Sequence, residues 1–381
     1  TLLVSAAFYG YQSFTVPSLC GLIPPCLIIS SVLLFGHRLG IHSLAAGVMV
    51  GLLLQLGFQW YFLPKRGPKG FCLRFYHPAL KKIIILMMPI LLGTIIAQVN
   101  PIIQRILASK LSEGSIAAFN FAQMVGSLPL NIILSPIIMA LFPFLALQCA
   151  KGETERFNAS STISLRLFNF IALPISFYLI FFSTPIIKIL FEYGRFGTRD
   201  TALTAGALTY LGIGLFAGIN LAFLGRAFCA LQDTLTPLIA SVFCALACIP
   251  LNLILVKYLD LNGLALTTSL ISIICFLIIF LLFHLKVRVK GSRLIFVAFI
   301  KTLLITSVMG IISYLVYKYC LPSLALIPRL IISVLAGGIV FILLSYFIRM
   351  EEFFLLSRYL KWEILVDMVK SKQETQNQIP E

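Results

Sequence analysis

Polar residues interrupt this chain only at intervals. Between them lie long runs of Leu, Ile, Phe, Val and Ala near 17–36, 41–64, 82–108, 115–147, 161–191, 201–225, 235–257, 263–285, 295–318 and 325–348. About 20 apolar residues cross the hydrocarbon core of a bilayer as a helix, so the pattern predicts ten spans, with a partial helix at 1–10 ahead of them. A β-barrel would show segments of about ten residues alternating in polarity, and these runs do not alternate. The expected fold is an all-α polytopic membrane protein.

Composition agrees. The 381 residues are 60% hydrophobic and 11% charged, with a mean hydropathy of +1.03. Only 13 Asp and Glu stand against 29 Lys and Arg, for a net charge of +16. So few carboxylates exclude most acid/base enzyme sites and carboxylate metal centres. The basic residues fall between apolar runs, where they set topology, rather than on a nucleic-acid-binding face. Lys65, Arg66, Lys69, Arg74, Lys81, Lys82, Lys151, Arg156, Arg166, Arg226, Lys286, Arg288, Lys290 and Arg293 occupy one set of connections; the alternate set holds Arg38, Lys110, Arg195, Arg199, Lys257 and Lys318. The first set is therefore expected inside, with the C-terminus.

The nine cysteines include no CxxC pair and read as small buried hydrophobes, and the four histidines lie singly at loop edges. No metal or other cofactor is implied. Pro129, Pro136 and Pro143 recur every seven residues within one run; each removes a backbone donor, so that helix is expected to bend. The bend either follows a neighbouring helix or breaks the span beside a cavity.

Shifting the chain by 220 residues aligns Ala7-Phe8 with Ala227-Phe228, Gln12 with Gln232, Pro17 with Pro237, Leu33 with Leu253 and Leu44-Ala45 with Leu264-Ala265. Both copies cross in the same direction, which predicts a parallel repeat. The resulting division is 1–64, the end of an N-terminal lobe; 65–81, a basic cytoplasmic loop; 82–285, a C-terminal lobe; 295–348, an extra helix pair; and 349–381, a cytoplasmic amphipathic helix and tail. Thr1 opens inside an apolar stretch, and the repeat places the expected start of the first lobe roughly 140 residues, about four helices, earlier.

The run ILASKLSEGSIAAFNFAQMVGSLPLNIILSPIIMALFPFLA (106–146), the segment FEYGRFGTRDTALTAGAL (191–208) and the loop GRAFCALQDTLTP (225–237) resemble the MurJ/MviN family of bacterial lipid II flippases. The likeness extends from about residue 1 to 348. It implies a two-lobed carrier that moves a polyprenyl-pyrophosphate-linked glycan from the inner to the outer leaflet by alternating access. It also implies membrane lipids and cell-wall synthesis proteins as partners, and no catalytic residues. Met124 stands where the family pattern implies an anion-binding Arg. A flippase for another polyprenyl-linked glycan and a transport-inactive scaffolding relative are the alternatives this departure leaves.

A pyrophosphate needs cations, and a polar side chain within a span needs a partner or a cavity. Arg105 is therefore a candidate anion contact, or a side chain snorkelling to headgroups. Gln98, Asn100, Gln104 and Gln123 are candidate cavity residues, or glue between helices. Glu192 and Arg195, Arg199 and Asp200, and Arg226 and Asp233 lie at span ends, as candidate gating loops or as solvated loop charges. In 349–369, Phe353, Leu356, Leu360, Ile364 and Val369 make an apolar side opposite Glu351, Glu352, Arg358, Lys361 and Lys370, a pattern that suits a helix on the membrane surface.

Overall fold

In lipid a single chain segment satisfies its own backbone donors and acceptors only as a helix. The computed structural model is accordingly helical, with no strand among the residues it describes, which are 15–62, 91–96, 98–288, 291–320 and 324–360, with positions 4, 5, 8 and 88. The initial partial helix and the 65–81 loop fall largely or wholly outside them. Eight described stretches are long and apolar enough to cross a membrane, one of them 53 residues long and kinked at Asp260, and Ile23–Leu39 adds a shorter apolar helix. The chain separates into two units, Thr1–Leu80 and Lys81–Glu381.

The first unit contains α1 (Thr15–Cys20), α2 (Ile23–Leu39) and α3 (Ile41–Phe62). Gly40, at φ 52° and ψ −130°, turns the chain between α2 and α3. The two helices then approach through glycine. A Cβ on Gly47 would lie 3.0 Å from the Ile28 Cα, and one on Gly51 2.8 Å from the Pro24 Cα. Either distance requires the backbones to part.

The second unit contains α4 (Val99–Ala108), α5 (Ser115–Leu128), α6 (Ser135–Ala150), α7 (Thr154–Phe181), α8 (Ser183–Phe191), α9 (Thr198–Ala230), α10 (Leu235–Val287), α11 (Ser292–Leu315), α12 (Leu326–Phe347) and α13 (Glu351–Leu360). Pro129–Leu134, between α5 and α6, is π-helical, and the Ser135 N–H bonds the Leu130 carbonyl five residues back. The proline-rich run therefore departs from regular α-helix at Pro129, where the missing donor breaks the α pattern. The apolar run at 161–191 is two helices rather than one span. Its second part starts anew after Phe182 (φ −112°, ψ 20°), and α7 extends back over the polar residues from Thr154.

The core lies where α9 packs against α7 and both limbs of α10. Phe157, Leu165, Phe168, Ile219, Phe223, Phe228 and Phe283 are buried there, and a second cluster joins Ala118, Ala122, Leu208, Leu264 and Ala265. The cysteines depart from their expected burial. Cys20, Cys244, Cys248 and Cys275 are buried, but Cys26 and Cys229 are exposed.

Helices α11 and α12 are tied to α7. The Tyr178 hydroxyl donates to the Val334 carbonyl at 2.8 Å, and a Cβ on Gly337 would meet the Ser313 Oγ at 1.7 Å. At one end Arg329 stacks on the Tyr317 ring at 4.2 Å. At the other, α13 folds onto α7 rather than presenting both glutamates to water. Arg166 Nε donates to Glu352 Oε1 at 2.6 Å and Nη2 to Glu351 Oε2 at 2.9 Å. The Glu352 side chain is 2% exposed, which corrects its assignment to the polar side. A buried carboxylate stripped of such a partner destabilises a fold by about 3–5 kcal/mol. The remainder of the expected surface helix, 361–369, and Lys370 lie outside the described residues.

Candidate functional site

Helix α4 carries Asn100 and Gln104 four residues apart, so both amides project from one face. Amides in an apolar helix draw partners, and α4 finds them on both limbs of α10. Asn100 Oδ1 accepts from Cys248 Sγ at 2.7 Å and from Asn252 Nδ2 at 3.1 Å. One turn on, Gln104 Nε2 donates to Thr268 Oγ1 at 2.6 Å and to the Leu264 carbonyl at 3.4 Å. Gln104 Oε1 accepts from Gln123 Nε2 of α5 at 3.5 Å. Three predicted residues, Asn100, Gln104 and Gln123, thus meet in one neutral polar seam. Sequence reading missed Cys248, Asn252 and Thr268, although Asn252 and Thr268 interrupt apolar runs and were open to the argument applied to Gln98 and Asn100.

Gln123 also borders a cavity of about 510 Å³ between α5, α9 and the second limb of α10. Asn120, Gln123 and Ser127 contribute to its wall from α5, and Thr268, Ser269 and Ser272 from α10. Their three- and four-residue spacings stack them along their helices. From α9 come Gly214 and Gly218. A Cβ on Gly214 would press to 2.5 Å from the Ser269 Cα, whereas Gly218 faces open space. Ser127, Thr268 and Ser272 donate to the carbonyls of Met124, Leu264 and Thr268 at 3.0, 3.0 and 2.8 Å. Thr268 Oγ1 already accepts from Gln104 and Ser269 Oγ from the Gly214 N–H at 3.1 Å, whereas among the described residues no donor reaches the Ser127 and Ser272 oxygens. Met124 is exposed in this wall, and among the described residues no charged side chain lines it.

The other predicted residues lie apart from seam and cavity. Gln98, which precedes the first residue of α4, and Arg105, seven residues on, are both exposed. Among the described residues nothing bonds the Arg105 guanidinium. Glu192 accepts from Thr201 Oγ1 at 2.7 Å and faces Lys188 Nζ at 3.4 Å, not Arg195. Asp200 accepts the Gly197 N–H at 2.9 Å, at the start of α9, not Arg199. Asp233 pairs with Lys286 and accepts from the Thr236 N–H at 3.1 Å and Oγ1 at 2.5 Å, not from Arg226. Arg195, Arg199 and Arg226 are exposed. Partial burial alone would raise the Asp233 pKa, but Lys286 and the two Thr236 bonds outweigh it and lower the value to about 2. Among the described residues no three His, Cys, Asp or Glu side chains gather as a metal site.

The family model described as "Lipid II flippase MurJ" matches residues 3–335. The lipid II flippase MurJ of Burkholderia cenocepacia is 29% identical over 246 residues, covering 62% of this chain and 47% of that protein. The probable lipid II flippase MurJ of Buchnera aphidicola from Acyrthosiphon pisum is 30% identical over 319 residues, covering 82% of this chain and 62% of its own length. A solved lipid II flippase MurJ in an inward closed conformation superposes with TM-score 0.71 at 24% identity, over 91% of this chain and 70% of that one. An inward-facing multidrug transporter of the MATE family gives TM-score 0.62 at 16% identity, over 76% of this chain and 68% of that one; these structures establish likeness of fold. The chain spans about half to two thirds of the length of those two curated relatives.

Proposed function

The chain belongs to the lipid II flippase MurJ family, and from that premise we propose that it serves to carry a lipid-linked peptidoglycan precursor, lipid II, from the inner to the outer leaflet of the bacterial cytoplasmic membrane. The match over residues 3–335 carries this reading. Its mechanism is alternating access between a lobe ending within 1–64 and a lobe at 82–285, joined by the 65–81 loop. The pair at 295–348 forms a wall for the polyprenyl tail, and 349–381 lies on the cytoplasmic side. The neutral cavity and the seam beside it support a path for a polar head group through an apolar bundle, since unpaired polar groups in such a bundle are costly. Expression of the gene carrying this sequence in a MurJ-depleted bacterium is expected to prevent lysis. Lysis despite confirmed membrane insertion would count against the reading. Impermeant thiol reagent reaching a cysteine at position 69 from outside intact cells would overturn the orientation.

Arg105 is assigned to the pyrophosphate during outward release. That no described residue bonds its guanidinium supports this, because a guanidinium offers a planar fork of donors to a phosphate. Arg105→Ala is expected to abolish flipping, and Arg105→Lys to restore it only in part. Wild-type flipping by Arg105→Gln at matched expression would reduce the side chain to a snorkelling one. The remaining gating assignments, to Glu192, Arg195, Arg226 and Asp233, rest on their positions at helix ends.

A further inference from the structure

Resting on the flippase reading, we infer that the cavity beside α5 is the subsite for the uncharged sugar part of the head group, specifically an acetamido- and hydroxyl-bearing ring, and that the pyrophosphate is held elsewhere. The lining decides against an anion. With no cation among the described residues of the wall, a diphosphate would lose its hydration without gaining a charged partner there. A bare metal ion is disfavoured for the converse reason, since among the described residues no carboxylate lines the space. An alkyl chain would leave the amides and hydroxyls unmatched.

What the wall offers is complementary to a sugar amide. Asn120 makes no hydrogen bond to a described residue, so its carbonyl and both N–H groups are open, and a primary amide can donate to and accept from a secondary amide side by side. Among the described residues Gln123 engages Gln104 alone, at 3.5 Å. Of the four cavity hydroxyls, Ser127 and Ser272 have donated to their own helices and take up no donor among the described residues, which makes them acceptors for the hydroxyl protons of a ligand. Leu211 and Leu215 supply an apolar face for the C–H side of a ring. The volume of about 510 Å³ falls within the span usual for small-molecule sites, about 300–1,000 Å³.

The test is binding of N,N′-diacetylchitobiose to the purified full chain in lipid nanodiscs, followed by saturation-transfer NMR, with cellobiose and inorganic pyrophosphate as comparisons. Gly218→Leu fills the cavity from a position where a Cβ meets nothing within 4 Å; Gly225, two turns along α9, is equally unobstructed and lies outside the wall. Saturable chitobiose binding is expected, weakened about tenfold or more by Gly218→Leu and by Asn120→Leu, as loss of two hydrogen bonds would produce. Gly225→Leu should bind like the parent. Cellobiose should bind more weakly than chitobiose, and pyrophosphate should not compete. No saturable chitobiose binding, equal binding by Gly218→Leu, equal binding of cellobiose, or competition by pyrophosphate would each overturn the assignment. Complementation separates it from the premise. Flipping that persists while Gly218→Leu binds chitobiose normally removes the subsite alone; chitobiose binding in the expected pattern without flipping removes the flippase reading and leaves a sugar site.

Discussion

Two hairpins in this chain share one turn and differ in how they are held. Gly40 joins α2 to α3 at φ 52° and ψ −130°; Asp260, 220 positions later, joins the limbs of α10 at φ 48° and ψ −128°. That is the offset at which the sequence aligned with itself. In the first hairpin close approach lies well away from the turn, at Gly47 and Gly51. In the second it lies beside the turn, where a Cβ on Gly263 would be 2.2 Å from the Leu255 carbonyl oxygen. Farther along, the limbs of α10 are bridged by α4 through Asn100 and Gln104. The same turn therefore serves a hairpin whose limbs approach through glycines far from the turn and one whose limbs meet beside the turn and are bridged farther along by a third helix.

The counterpart of Gly263 is Ser43, whose hydroxyl donates to the Gly40 carbonyl at 2.7 Å. If the two hairpins were interchangeable, Gly263→Ser would be tolerated. We expect it instead to destabilise by about 3 kcal/mol, at the upper end of overpacking, because the obstruction is backbone and cannot rotate away. Ser43→Gly should cost only about 1 kcal/mol, through the lost hydrogen bond. Thermal unfolding in detergent, read by tryptophan fluorescence or loss of monodisperse protein, measures both. Equal effects would dissolve the distinction.

Much of this architecture was legible because hydropathy is a local property. The ten apolar runs needed no tertiary information, and the proline run announced its departure from α-helix through the donor that proline lacks. The turn at 40 and 260 was less legible. The identities that revealed the repeat flank it, but Gly and Asp differ, so the shared backbone shows only in three dimensions. At the site, polar residues in apolar runs marked Asn100, Gln104 and Gln123. Their partners Asn252 and Thr268 stand more than 140 residues away in the chain, and no spacing rule connects them. The loop charges misled for the opposite reason: charges close in sequence, such as Arg226 and Asp233, do not pair, because Asp233 closes against Lys286 from the far end of α10.

The turn itself offers a smaller effect with a definite sign. An L side chain at φ 48° and ψ −128° is held outside its favoured regions, a strain of order 1–3 kcal/mol, whereas glycine occupies such a conformation freely. Asp260→Gly should therefore stabilise by about 1 kcal/mol, the gain tempered by the greater entropy of glycine in the unfolded chain. Gly40→Asp should destabilise by a similar amount through strain alone, since a Cβ there meets nothing within 4 Å. A destabilising Asp260→Gly would mean that the carboxylate itself sustains the turn, making the two turns alike in shape only.

The smallest expected effect lies at the open end of the second hairpin. Asp233 precedes the first limb of α10 and Lys286 ends the second, so their ion pair joins the limbs opposite the Asp260 turn. Shifted by 220, the pair becomes Ser13 and Arg66, which leaves the first hairpin no carboxylate at that place. The folded pKa of Asp233, about 2, is below the unfolded value of roughly 3.9. Its contribution is therefore complete above the unfolded value and disappears as pH falls through the range from about 4 to 2. Lys286 is half exposed and solvent screens the pair, so less than about 1 kcal/mol is expected. Asp233→Ser, which gives the second hairpin the residue of the first, should lower the melting temperature slightly at pH 7 and match the parent near pH 2. Lys286→Met should shift the acid loss toward pH 4, as the carboxylate loses the cation that depresses it. A pH-independent deficit in Asp233→Ser would assign the effect to the neutral Thr236 bonds instead, and no ion pair would then help to join the open end of the limbs.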